Sequence, residues 1–421
     1  MLKTKQHVTN CPITSNRYEV FRAVIGKGNS DEENQGLEDL TFILNRIANN
    51  KVPTTIIPYL TSTFGLVIPK RDGKDRPLGL REGLANLTIK CALASVQENI
   101  YQLFGGVTHA LAGPNKMSEL IALSTNHLRA SPTQDTIFLD LCNAFNLCHR
   151  IIAALQIKER CPELFNLFSL FYGSSSLIWM RNDTNDYADP LSTINGCVQG
   201  CCMGPLVFGF ATLPLYEKLV GDMKKNPNSF FGAYSDDSLI AGSHSQATQA
   251  LEWLLEVSPT YHLQLNLGAN KTTVLLGECA DANEVRSRIR KYGELGLHES
   301  NIRVHPSNEG IAMNYGFIHL GVPIGSATFS SNQLQSLVTK FIQTTHCDEI
   351  VEDAQQKWVY LLRVVRQKFP FWFKHMCPSI TSELVPTIVD LLRQTFTQIA
   401  TCKKLSETQW HQVCLPIKLN G

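Results

Sequence analysis

Apolar residues first fall at helical spacing over 37–48, after a polar opening in which Gly26, Lys27, Gly28, Asn29 and Ser30 read as a loop. The period then shortens. Residues 64–69 form an apolar run, Arg71, Asp72, Gly73 and Lys74 have hairpin-turn chemistry, and Arg76, Pro77 and Leu78 open a returning strand. Leu84, Leu87, Cys91, Ala94 and Ile100 step near the helical period and predict a helix over 84–100. Strands are predicted at 136–141, 176–180, 230–234, 238–241 and 272–276, while Ala247, Ala250, Leu251 and Leu254 mark a helix packed on one face. Such alternation implies a mixed α/β or α+β chain. Residues 281–310 are charged and bear Gly, Asn, Ser and Pro, which predicts a peripheral insertion. Past 325 the spacing turns helical, with Val351, Ala354, Trp358, Leu361 and Val365 in one stripe and Leu384, Ile388 and Leu391 in another. The expected division is an N-terminal extension at 1–50, a central region at 51–325 and a helical region at 326–421.

Composition narrows this picture only slightly. At 421 residues the chain suits two or three packed units, and 43% apolar with 18% charged residues is a globular balance. The most apolar run, 201–215, contains Pro205 and Pro214 and falls short of the roughly 18 residues a membrane span needs, so it predicts a buried element. No apolar leader is visible near Met1, so an intracellular chain, nuclear or cytoplasmic, is expected. The thirteen cysteines are scattered through apolar segments, which predicts reduced, buried thiols. Cys197, Cys201 and Cys202 cluster without a second CxxC or HxxxH to complete a zinc site. The glycine-rich 26–30 segment lacks phosphate-loop spacing. A net charge of +1 neither favours nor excludes nucleic acid, because any basic surface would be local.

The candidate chemistry sits at strand ends. The run at 136–139 leads into Asp140, and 230–234 leads through Ser235 into Asp236 and Asp237 before a second apolar run. A carboxylate closing a buried strand is costly unless a positive group meets it. Neighbouring residues on a strand face opposite ways, so Asp236 and Asp237 need not serve one ion; Asp140 and Asp236 converge if their strands are adjacent. Carboxylates with water and phosphate oxygens are the ligands Mg²⁺ takes. Two such ions about 3.5 to 4 Å apart stabilise both oxygens of an in-line phosphoryl displacement. Read alone, residues 235–237 fit a solvated hairpin turn better than a metal site, since Asp is favoured in turns.

The order of the neighbouring motifs adds a further reading. Asp140 is followed by Ala144 and Phe145; Gln199 and Gly200 by Pro205, Leu206 and Phe208; Tyr234 by Asp236 and Asp237; Asn266 by Lys271; and His319 by Leu320, Gly321 and Gly325. In this order, from about 64 to 325, the chain resembles the catalytic core of reverse transcriptases, particularly those of non-LTR, LINE-like retroelements. The resemblance implies an α+β right-hand polymerase fold of fingers, palm and thumb. It implies Asp140, Asp236 and Asp237 as catalytic, metal-binding residues, with two Mg²⁺ ions and Mn²⁺ as a substitute. Phe145 would exclude a 2′-hydroxyl, Gln199 and Gly200 would hold the nucleotide, and Lys70, Arg76 and Lys271 would meet its phosphates. Tyr234 and Gly321 would lie against nucleic acid, and Lys357, Arg363, Arg366, Lys368 and Lys374 would contact phosphates from the thumb. The implied partners are an RNA template, a DNA primer and deoxynucleoside triphosphates, with no membrane. The segment 410–421 resembles one that continues in related elements, which implies a shortened chain. Cys201 departs from the acidic or polar residue more usual after Gln-Gly, and the Arg81 stretch lacks a basic face. Two rivals remain: an RNA-directed RNA polymerase, against which bulky Phe145 argues, and a decayed or domesticated copy that only binds nucleic acid.

Overall fold

A computed structural model of the chain describes residues 21, 23–24, 31–69, 75–180, 190–344, 353–360, 363, 366–399 and 406–414. The side chains of Arg76, Arg366 and Lys368 lie outside that description, as do Lys70 and the turn at 71–74. The chain divides into two compact units. One comprises Met1–Leu120, Ile137–Thr272 and Leu295–His298, the other Ile121–Thr136, Thr273–Glu294 and Glu299–Gly421.

The first unit is built on β1 (Thr63–Pro69), β2 (Asp75–Arg81), most of β3 (Asp135–Leu139), β4 (Ser176–Trp179), β5 (Leu191–Thr193), β6 (Phe230–Tyr234) and β7 (Asp237–Gly242). One sheet has the order β2-β1-β4-β5, with β1 and β2 forming the expected antiparallel hairpin in which Phe64 faces Leu80 and Ile68 faces Arg76. In a second sheet β7 lies between β6 and β3. Every residue of β3 is buried, as a central strand of β-branched and aromatic residues should be. The apolar run at 201–215 becomes part of the helix Gly204–Met223, which is buried on nearly every side. Pro205 occupies its first turn, where no amide partner is lost. The stretch at 84–100 is two helices instead of one, Gly83–Ser95 and Gln97–Phe104, divided at Val96, whose φ of −112° and ψ of 13° leave the helical region. The first buries Ala85, Leu87, Thr88 and Ile89, and the second Ile100 and Phe104.

The second unit contains β8 (Thr273–Leu275) parallel to β9 (Ile302–Arg303), and β10 (Gly316–His319) antiparallel to β11 (Val322–Gly325). Leu320 and Gly321 form the two-residue turn between the last two strands, both at positive φ, 51° and 80°. The stretch at 281–310 is largely exposed or half-buried, but its helix buries Tyr292. Its helix Ala282–Glu294 brings Arg288 and Tyr292 to Asp135, which is fully buried. That carboxylate accepts hydrogen bonds from Gly277 N, Arg288 Nη1 and Tyr292 Oη, each at 2.9 Å. Three donors and a counter-charge are what make a buried carboxylate tolerable. Helices follow at Ala327–Thr344, Ala354–Tyr360, Arg366–His375 and Val385–Ile399, as the late periodicity predicts. Trp358 meets Phe396 edge-on at 5.7 Å, while Val351, Leu361 and Val365 lie outside the described residues. The fold is α+β, with antiparallel pairing in both units.

Candidate active site

Asp140 directly follows β3, and its backbone is held on both sides by the segment at 264–272. Its N–H donates to Thr272 Oγ1 at 3.1 Å, its carbonyl accepts from Asn266 N at 2.8 Å, and Cys142 N donates to Gln264 O at 2.8 Å. These bonds orient the Asp140 side chain and carry Lys271 close to it, with Lys271 Nζ 3.8 Å from Asp140 Oδ2. The ion pair is long and partly exposed, so it is worth little as stabilisation. Its value is in placing a cation at the end of β3.

The strand β7, which lies next to β3, begins with Asp237. Tyr234 pairs with Asp237 across the β6–β7 ladder, leaving Ser235 and Asp236 as a tight turn. Ser235 adopts φ of 62°, a left-handed conformation that serine rarely takes. From the adjacent helix the hydroxyl of Tyr216 donates to Ser235 O at 3.1 Å. Crowding by surrounding protein, then the negative charges of Asp236 and Asp140, push the Asp237 carboxyl up to about 6. Asp237 keeps an exposed surface, so the like-charge repulsion, which needs no dry surroundings, is the firmer cause. Carboxylates from two distant parts of the sequence thus come within electrostatic range of one another. Among the described residues no three His, Cys, Asp or Glu side chains form a ready-made metal-binding set.

Phe145 and the Gln199 loop stand in the same unit. Phe145 lies in the short helix Ala144–Leu147, entered through Asn143 at φ of 48°. Its ring stacks on Phe208 at 4.7 Å with the planes 10° apart, and its carbonyl accepts from Cys197 N at 2.6 Å. Gly196 has φ of 66°, and a Cβ there would sit 2.1 Å from the backbone of Asn146. Only glycine permits that approach. Gln199 is docked on β2, its carbonyl accepting from Gly79 N at 2.7 Å, and Gly200 follows at φ of 94°. Arg76 lies farther along β2, opposite Ile68. Tyr234, half-buried, ends β6, and Gly321 occupies the β10–β11 turn of the second unit.

Residue patterns did not point to the buried arginines beneath this loop. Arg81 Nη1 donates to Thr61 O at 2.9 Å and Nε to Cys201 Sγ at 3.0 Å, with the guanidinium 4.9 Å from the ring centroid of Phe171 and 5.1 Å from that of Tyr172. Arg150 approaches the same Tyr172 ring at 5.2 Å and donates through Nε to Gly196 O at 2.7 Å. Cys201 is therefore an acceptor for a buried guanidinium, which gives the departure at that position a structural reason. The signal in the sequence was only Arg81 directly after the apolar Pro77, Leu78 and Leu80. Tyr216, within the apolar helix, gave none.

No family model matches the chain. It is 23% identical over 258 residues to the Retrotransposable element SLACS 132 kDa protein of Trypanosoma brucei gambiense, a match covering 61% of this chain and 21% of that protein. The chain is reverse-transcriptase-like. It spans about a fifth of the length of that curated relative. Among solved structures, apo telomerase from Candida tropicalis is similar at 12% identity and a TM-score of 0.46, covering 85% of this chain and 67% of that one. The same organism's telomerase in complex with a TWJ fragment of telomeric RNA is similar at 12% identity and a TM-score of 0.40, covering 92% of this chain and 70% of that one. Likenesses this distant carry no functional weight. No helix among the described residues is long and apolar enough to cross a membrane.

Proposed function

We propose that the chain is an RNA-directed DNA polymerase of the non-LTR retroelement type, which adds deoxynucleotides to a primer 3′-hydroxyl. The observation that carries this reading is that Asp140 directly follows β3 and Asp237 opens the neighbouring β7 directly after Asp236, with like charge helping to push the Asp237 carboxyl up. Carboxylates crowded together favour divalent cations. Asp140, Asp236 and Asp237 would hold two Mg²⁺ ions, with Mn²⁺ as a substitute. Bound there, the ions neutralise charge on the attacking and leaving oxygens of the displacement. Mg²⁺ commonly takes only one or two protein carboxylates and completes its shell with phosphate and water. A donor set that is not closed before substrate arrives suits that habit.

The surrounding residues act on the nucleotide. Phe145, held flat by its stack with Phe208, forms a fixed wall at the sugar and leaves no space for a 2′-hydroxyl. The Gln199–Gly200 backbone, anchored through Gly79, supports the nucleotide without a Cβ in the way at Gly200. Lys271, drawn toward Asp140, meets the departing pyrophosphate, while Lys70 and Arg76 neutralise the triphosphate. Tyr234 and Gly321 lie against nucleic acid. The helical region past 326 serves as a thumb, where Lys357, Arg363, Arg366, Lys368 and Lys374 meet phosphates of an RNA template paired to a DNA primer; fingers and palm occupy 51–325.

Primer extension on an RNA template with Mg²⁺ tests the reading. Deoxynucleotides should be incorporated, and Asp236→Ala should abolish extension while salt-dependent RNA binding survives. Preferential use of ribonucleotides, or extension untouched in Asp236→Ala, would refute it.

A further inference from the structure

We propose that Tyr216 is a positioning residue, whose buried hydroxyl fixes the direction in which the β6–β7 turn presents Asp236 and Asp237. This rests on the polymerase reading of those carboxylates and deepens it. Tyr216 belongs to the helix Gly204–Met223 and is 3% exposed. Its ring lies against Phe231 with centroids 5.0 Å apart and planes 54° apart, so its rotation is restricted by packing. The hydroxyl reaches past that packing to the turn. It donates to Ser235 O at 3.1 Å. One phenol therefore anchors the backbone of the residue immediately before Asp236 and Asp237.

The conformation of Ser235 explains why such a tie is needed. At φ of 62° a serine is strained by its own Cβ, and asparagine or glycine would suit the position better. A strained residue persists when its surroundings over-determine it, and such residues gather at functional sites. If the turn relaxed, the carboxylates of Asp236 and Asp237 would swing with it. Burial, followed by the charges of Asp236 and Asp237, pushes the Tyr216 phenol up, so it remains a protonated donor throughout the working pH range. Packing alone would be served as well by phenylalanine. The hydroxyl is the part that packing does not require.

Tyr216→Phe removes that one oxygen and leaves the ring in place. In the purified full chain, amide hydrogen exchange across 235–237 should accelerate, and Mn²⁺ binding, measured without substrate by electron paramagnetic resonance, should weaken about fivefold, the worth of one net hydrogen bond. The Mg²⁺ concentration for half-maximal extension should rise, and kcat should fall by a similar factor with KM for deoxynucleotide unchanged. Exchange and Mn²⁺ affinity within twofold of the parent chain would overturn the proposal. A parent chain that binds Mn²⁺ but extends no primer would overturn the polymerase reading alone, because exchange and Mn²⁺ binding judge Tyr216 without turnover.

Discussion

Replacing Asp237 by Asn should stabilise the metal-free protein at neutral pH. The carboxyl is pushed from 3.8 to about 6, a rise of about two units, and two units correspond to roughly 3 kcal/mol for a fully dry group. Asp237 is exposed, so solvent screening leaves about a third of that, ~1 kcal/mol. Its folded-state value lies above its unfolded one, so the stability linked to its proton is complete below about pH 4 and lost as pH rises through about 6. At pH 7 the ionised carboxylate opposes folding. The uncharged amide does not. Thermal unfolding in EDTA and low salt should therefore show Asp237→Asn melting roughly 2 °C higher than the parent at pH 7, with no advantage at pH 4. Mg²⁺ should narrow the difference by stabilising the parent more, since a cation turns the repulsion into attraction. A variant less stable than the parent at pH 7, or a gain that does not vary with pH, would refute the electrostatic account of this cluster.

Asp135→Ala in the second unit should be severely destabilising, by about 3 to 5 kcal/mol, because it leaves Arg288 and the Tyr292 hydroxyl without their shared acceptor; urea unfolding measures it, and a loss under 1 kcal/mol would contradict the buried network. Phe145→Ala should admit ribonucleotides and lower the preference for deoxynucleotides by one to two orders of magnitude, about 1 to 3 kcal/mol of discrimination, read as the ratio of kcat/KM values. An unchanged ratio would remove Phe145 from the sugar pocket.

Which parts of this molecule were legible in the sequence follows from how far each interaction reaches along the chain. Strands β3, β6 and β7 announce themselves because burial on both faces demands unbroken apolar runs, and Asp140, Asp236 and Asp237 stand out as the charges that interrupt them. The break at Val96 is not visible in the same way, since two short helices burying successive turns keep nearly the same apolar spacing as one long helix. The buried arginines mislead for another reason. Composition says that arginine belongs in solvent, yet Arg81 is 2% exposed, held by the Thr61 carbonyl, by Cys201 120 residues away and by two aromatic rings. Asp135 and Tyr292 meet across 157 residues, so no local pattern in the charged helix Ala282–Glu294 marks Tyr292 as the residue it buries. Tyr216 is the extreme case. Surrounded by apolar neighbours, it reads as one more packing residue, and only the carbonyl of a strained serine in the next hairpin gives its hydroxyl a task. Chemistry carried by charge is therefore readable from the chain alone, whereas the neutral groups that aim it become visible only once distant strands and helices are brought together.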